Sequence, residues 1–240
     1  MHSSHLTADA PVIGPDHPLL VVHTPKCGGT SLFASLRSAF GAKEMFVDYK
    51  KLNAGRPKAP AGKHSVIYGH FPAVKYADTH NAMWITLLRE PVDRLLSIYF
   101  AWRFYPLHLL KNQSDPLRRA VYQNEIGLLD FARQPRFSKA YHGRFFGDFD
   151  MKRFELIILT EHYVEGIRKL SEKIGKPLQV EHMNVSATRS EEYGKARREA
   201  LQDPATLGAL KDILRKEIEF YDMCVQLPAA AVSGVARARN

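Results

Sequence analysis

Residues 19–36 read LLVVHTPKCGGTSLFASL, and the order of these residues decides the fold. Residues 19–23 form a short continuous apolar run, the pattern of a parallel strand covered on both faces. Pro, Lys, Cys and two glycines interrupt it. From Thr30 to Phe40 the apolar residues Leu32, Phe33, Leu36 and Phe40 then recur on one helical face, with Gly41 placed as a stop. The unit is a strand, a Gly-rich loop and a helix.

Working outward, the same alternation returns. YKKLNAGRPKAPAGK (49–63) is basic and rich in Gly, Pro and Ala, an exposed connection, and SVIYGH (65–70) reads as a second strand. In MWITLLREPVDRLLSIYFAWR (83–103) a strand breaks at Arg89-Glu90, Pro91 takes the first helical position, and Leu95, Ile98, Tyr99 and Trp102 share a helix face. Residues 116–150 predict short helices with aromatic-rich turns in no clear order. FELIILT (154–160) is a further buried strand, followed by an amphipathic helix over 161–175 that closes on Gly175. Helices are expected around 194–202 and 206–224. Strands alternating with helices define a three-layer α/β fold with a central, mainly parallel sheet flanked by helices.

With 45% apolar and 25% charged residues over 240 positions, the chain has the composition of one globular domain. The expected division is a flexible arm over 1–18, one domain over 19–226 and a frayed tail over 227–240. Lys and Arg exceed Asp and Glu by 34 − 25 = 9, which favours an anionic partner without choosing one. Cys27 and Cys224 form neither a disulfide framework nor a zinc spacing, which fits a reducing compartment. The N-terminal stretch has no apolar core of a signal peptide, and no apolar run approaches a membrane span, so a cytoplasmic location is expected.

A strand that ends in a Gly-rich turn and enters a helix aims backbone N–H groups and the positive helix end at one point, a site for an anion. Gly28 and Gly29 permit close approach, Thr30 and Ser31 add hydroxyls, and Lys26 adds a mobile charge. The loop is not a Walker motif, because the Gly-Lys pairs at 62–63, 175–176 and 194–195 are followed by His, Pro and Ala. Position 33 is Phe where a cysteine phosphatase needs Arg, which argues against Cys27 as a nucleophile. A GxGxxG fingerprint is also missing.

HTPKCGGTSL resembles the 5′-phosphosulfate loop of sulfotransferases that use 3′-phosphoadenosine 5′-phosphosulfate (PAPS), in which a Pro-Lys-x-Gly-[Gly/Thr]-Thr-Ser core follows the first strand. LLREPVDRLLSIYF resembles the same family's 3′-phosphate element, with Arg89 at the strand end and Ser97 eight residues later. LTEHYVEGIRKLSEKIG, and HMNVSATRS followed by a helix containing EFYD, are similar to the branch that includes carbohydrate 2-O-sulfotransferases. The likeness covers roughly residues 19–225 and is specific only in the two cofactor motifs. It implies a donor site of Lys26, Cys27, Gly28, Gly29, Thr30, Ser31, Arg89 and Ser97, with Ser186 and Arg189 in a segment that folds over the nucleotide.

Sulfuryl transfer relies on positioning and charge stabilisation, so the expected parts are few. Lys26 stabilises charge on the transferring group, the amides of Gly28 to Ser31 hold the 5′-phosphate, and no metal is required. His70, at the end of SVIYGH with Gly69 leaving room beside it, is the expected base. His64, His142 and His182 are lesser candidates. His23 could orient substrate or simply cap its strand, and Arg89 could pair with Glu90 or Asp93 at a helix entry. Lys50, Lys51, Arg56, Lys58 and Lys63 could line an anionic acceptor site or form a solvated loop. The expected acceptor is a saccharide, a glycolipid head group or a small metabolite, with no nucleic-acid partner. Two other readings remain: a non-catalytic protein that binds the bisphosphate nucleotide, and an atypical small-molecule kinase holding magnesium on Glu155 or Glu161.

Overall fold

A computed structural model describes residues 12–49, 58–60, 62–105, 115–180 and 190–231. Its centre is a five-stranded, all-parallel sheet flanked by helices, so the three-layer α/β fold read from the sequence is correct. Strand β1 (Leu19–His23) leads through helix α1 (Gly29–Phe40) to β2 (Met45–Asp48), then to β3 (Val66–Gly69) and β4 (Met83–Leu88). Helix α2 (Pro91–Phe104) follows β4, and β5 (Phe154–Leu159) leads to α6 (Tyr163–Ile174).

The spatial order is β2-β3-β1-β4-β5. Leu19 lies opposite both Val66 and Met83, and every residue of β1 is buried, as its unbroken apolar run requires. From β1 the chain moves to one side of the sheet, whereas from β4 it moves to the other. The crevice between the carboxyl ends of β1 and β4 is therefore a topological switch point, where ligands of open α/β sheets bind. The Gly-rich loop and Arg89 flank that crevice.

Helices α3 (Pro116–Tyr122), α4 (Leu128–Arg133) and α5 (Pro135–Ser138) precede a π-helical turn at Ala140–Phe145. Helices α7 (Glu191–Gln202), α8 (Pro204–Ile213) and α9 (Arg215–Val225) close the described fold. A second apolar cluster joins Leu95, Leu96, Tyr99 and Phe100 of α2 to Phe131, Phe137, Tyr193 and Leu210. Helix α2 is therefore buried nearly all round over Pro91 to Ala101, not on the single face expected. Fully burying a Leu or Phe side chain contributes about 1.5–3 kcal/mol, so this second cluster fixes α2 within the helical layer that α4, α5, α7 and α8 complete.

Several boundaries differ from expectation. Strand β2 is an addition: four residues with Val47 facing solvent carry too little pattern to register. The helix expected over 206–224 divides at Leu214 into α8 and α9. The tail expected to fray from 227 is anchored through Ala231, because Ile157 donates to the Ala229 carbonyl at 2.8 Å and accepts from Ala231 N–H at 2.9 Å. Ala230 and Ala231 are buried. Residues 12–18 are likewise attached, with Ile13 in the core and the Pro18 carbonyl accepting from Met83 N–H at 3.0 Å. No helix among the described residues is long and apolar enough to cross a membrane.

Candidate functional site: an anion loop beside a strand-end arginine

The loop after β1 has two left-handed residues, Lys26 (φ 69°) and Gly28 (φ 83°), one at each side of Cys27. Gly28 tolerates this geometry, whereas at Lys26 it costs about 1–2 kcal/mol. The carbonyl of Lys26 accepts from Arg89 Nη1 at 3.3 Å, which helps hold the strained residue in place. Gly28 is the N-cap of α1, and no side chain caps the helix. The positive end of α1 is therefore not offset by a capping side chain, and it faces the loop. The Tyr163 ring lies 3.1 Å from where a Gly28 Cβ would stand, closing one side of the loop. Thr30 is exposed at the mouth, and Ser31 is buried.

Arg89 leaves the end of β4 and runs along α2. Its Nε donates to Asp93 Oδ2 at 2.7 Å, Nη2 pairs with the same carboxylate, and Arg197 of α7 also reaches Asp93. Two guanidinium groups thus share one carboxylate. Burial, followed by the Arg89 charge, lowers the pKa of Arg197. Glu90 caps α2, accepting from Val92 N–H at 3.0 Å and Asp93 N–H at 2.7 Å. One turn beyond Asp93, Ser97 is wholly buried and its hydroxyl has no hydrogen-bond partner among the described residues. An orphaned hydroxyl one turn along the helix from a carboxylate that two guanidinium groups share is a candidate partner for a second anionic group.

A buried network connects the two motifs from below. The Thr24 hydroxyl donates to the Leu87 carbonyl at 2.9 Å and lies 3.0 Å from Cys27 Sγ, which is itself 3.4 Å from the Tyr141 hydroxyl. Cys27 therefore points inward and offers the loop only its backbone. Burial pushes its thiol pKa up, which disfavours the thiolate. The Arg94 guanidinium stacks on the Tyr141 ring at 4.7 Å and sits 3.6 Å from Glu217, which also accepts from Tyr141 N–H and takes His142 Nδ1 at 2.6 Å.

His70 follows β3 at the same end of the sheet. Its Nε2 is 3.1 Å from Nδ1 of His23, the last residue of β1. Burial, and secondarily the Arg144 charge, lower the His70 pKa to about 4, while burial and His70 hold His23 well below the usual value. Both imidazoles are neutral at pH 7. His23 is fully packed: a Cβ on Gly29 would stand 1.9 Å from its Nε2. Tyr49 meets His70 edge-on at 4.8 Å, and Tyr68 lies 5.5 Å from His23 while donating to the Gly29 carbonyl at 2.6 Å.

Gly69 does not open space for a substrate. A Cβ there would fall 2.1 Å from the Asp48 carbonyl, so the glycine permits β2 and β3 to pair. His64 precedes β3 at the opposite end of the sheet, and the His142 imidazole is engaged by Glu217. Glu161 accepts from Glu90 N–H at 2.8 Å and from the Tyr221 hydroxyl at 3.1 Å, and Glu155 sits on an outward position of β5. Lys58 pairs with Asp78 at the solvent surface, at 2.5 Å, and Lys63 is exposed. Lys50, Lys51, Arg56, His182, Asn184, Ser186 and Arg189 lie outside the described residues.

The Arg89–Asp93 pairing foreseen at the helix entry is present, whereas sequence reading missed Tyr141, Arg197 and Glu217. Arg197 lies in an ordinary amphipathic helix, and Tyr141 in the aromatic stretch whose order was illegible, so their contacts with the crevice carry no local signal. No family model and no curated protein matches this chain.

Proposed function

We propose that the protein is a sulfotransferase that moves the sulfuryl group of PAPS to a hydroxyl acceptor. One observation carries the reading: the hydrogen bond from Arg89 Nη1 to the Lys26 carbonyl, which brings the two halves of the family signature into contact. The loop amides of Gly28 to Ser31 would hold the 5′-phosphate, and Arg89 with the orphaned Ser97 hydroxyl would hold the 3′-phosphate. The bound donor supplies an activated sulfuryl group whose leaving group is a phosphate.

Lys26 stabilises charge that develops as the sulfuryl group passes between oxygens, and His70 accepts the acceptor's proton in its neutral form. The acceptor is proposed to be a saccharide or a glycolipid head group, on the strength of the likeness to the carbohydrate branch.

Calorimetric titration with adenosine 3′,5′-bisphosphate, beside magnesium-ATP and 5′-AMP, tests the reading. Metal-independent binding that requires the 3′-phosphate is the expected result. Preference for magnesium-ATP would overturn it in favour of a kinase. Tight bisphosphate binding with no transfer to any hydroxyl would favour a nucleotide-binding protein.

A further inference from the structure

The strand-end histidine of β1 is in direct contact with both the expected base and the expected anion loop. Its Nδ1 faces His70 Nε2 at 3.1 Å, with ring centroids 4.5 Å apart, and its opposite edge abuts Gly29. We propose that His23 is the second half of the base: it takes the proton of His70 Nε2 as His70 Nδ1 takes that of the acceptor, placing the resulting charge against the loop. This rests on the sulfotransferase reading.

The tautomers follow from connectivity. For His70 Nδ1 to be an open base, its proton must reside on Nε2 and be donated to His23 Nδ1. His23 must then carry its own proton on Nε2, the atom facing Gly29. During transfer the acceptor O–H bond breaks and an N–H bond forms at His70 Nδ1. The N–H bond at His70 Nε2 breaks as one forms at His23 Nδ1. The sulfur–oxygen bond to the acceptor forms as that to the 5′-phosphate breaks, and its electron pair leaves with the bisphosphate nucleotide.

The surroundings explain why a relay is needed. No side-chain carboxylate bonds either imidazole among the described residues: the Asp48 backbone carbonyl accepts from the His70 backbone N–H at 3.1 Å, and the Asp48 carboxylate is taken by Lys75 and Tyr76. The groups facing the pair are Tyr49 from the end of β2, Tyr68 from β3, Arg144 from the π-helical turn, and the loop of Lys26 and Gly29 at the positive end of α1. None of these compensates an imidazolium. The phosphate left in the loop once the sulfuryl group has departed does, so protonation of His23 is linked to the charge that transfer leaves there.

Proton uptake tests this without an acceptor. Adenosine 3′,5′-bisphosphate is titrated into the full chain near pH 6 in buffers of different ionisation enthalpy, for the wild type, His23→Asn and His70→Asn. Asn keeps an acceptor near the Nδ1 position but cannot become a cation. This nucleotide is the product of transfer, so its complex is the state in which the relay has already left the proton on His23; the wild type is expected to take up close to one proton more than His23→Asn, with His70→Asn retaining most of the uptake. Equal uptake in wild type and His23→Asn would overturn the proposal.

Two-bond ¹H–¹⁵N imidazole spectra of the nucleotide-free protein supply a second readout. They are expected to show both residues as Nε2–H tautomers, and a His70 Nδ1–H tautomer would overturn the relay. Absence of nucleotide binding would instead overturn the functional reading and the relay with it, so the two failures are distinct.

Discussion

The Tyr141 hydroxyl grips both ends of the Arg89 residue, accepting from its backbone N–H at 3.1 Å and donating to its carbonyl at 2.8 Å. Since the same oxygen lies 3.4 Å from Cys27 Sγ, one buried side chain fixes the spacing between the strand-end arginine and the loop. Tyr141→Phe strips those bonds while keeping the ring under Arg94. It is expected to lower unfolding free energy by about 1–3 kcal/mol in urea titrations, and to weaken adenosine 3′,5′-bisphosphate binding several-fold. Unchanged nucleotide affinity would mean that the two motifs hold their spacing without the phenol.

Lys26 has separable structural and chemical duties, because its backbone carbonyl, not its ammonium, meets Arg89. Lys26→Ala is expected to cut the proposed sulfuryl transfer by roughly 10² to 10³ while lowering nucleotide affinity less than tenfold. Equal losses in both quantities would leave Lys26 only a positioning charge.

The histidine pair makes stability depend on pH. Both folded pKa values lie below the unfolded value near 6.5, so between about pH 4 and 6.5 the unfolded chain binds more protons than the folded one. Stability is therefore fully present above about pH 6.5 and falls as pH drops toward 4, by up to about 1.4 kcal/mol per pH unit for each histidine. Urea titrations from pH 4.5 to 7.5 should show this slope in the wild type and a flatter one in His70→Asn. A slope unaltered by that substitution would assign the acid sensitivity to other groups.

Asp48 and Lys75 form an ion pair in which both side chains are buried, with the Tyr76 hydroxyl donating to the same carboxylate oxygen at 3.1 Å. Asp48→Asn leaves the ammonium without its counter-charge and is expected to cost about 3–5 kcal/mol, most of it recovered in Asp48→Asn/Lys75→Met. Chemical denaturation of the single and double variants checks both values. A double variant no more stable than the single would show that Asp48 supports β2 by other means.

What the sequence made legible was whatever repeats locally. The run LLVVH, the break at Pro25 to Gly29 and the return of apolar spacing up to Phe40 define β1, the loop and α1 within one residue of their observed limits. Pro91 marks the start of α2, and Gly175 adopts the left-handed cap after α6. Strand β2 and the break at Leu214 were illegible because neither carries a Gly, a Pro or a long enough pattern. At the site, the residues of the loop and Arg89 could be read from chain order. The partners that fix them could not: Tyr141 and Arg197 reach the crevice only through tertiary packing, and the His23–His70 contact joins ends of two strands far apart in sequence.

The pairing of Ala229 and Ala231 with Ile157 has a consequence for solubility. β5 is the last strand of the sheet, and a bare parallel edge is a template on which another chain's strand can add. By laying three small residues along that edge after α9, the protein occupies part of it with its own backbone. Colloidal behaviour at high concentration is thus tied to a segment that touches neither loop nor arginine.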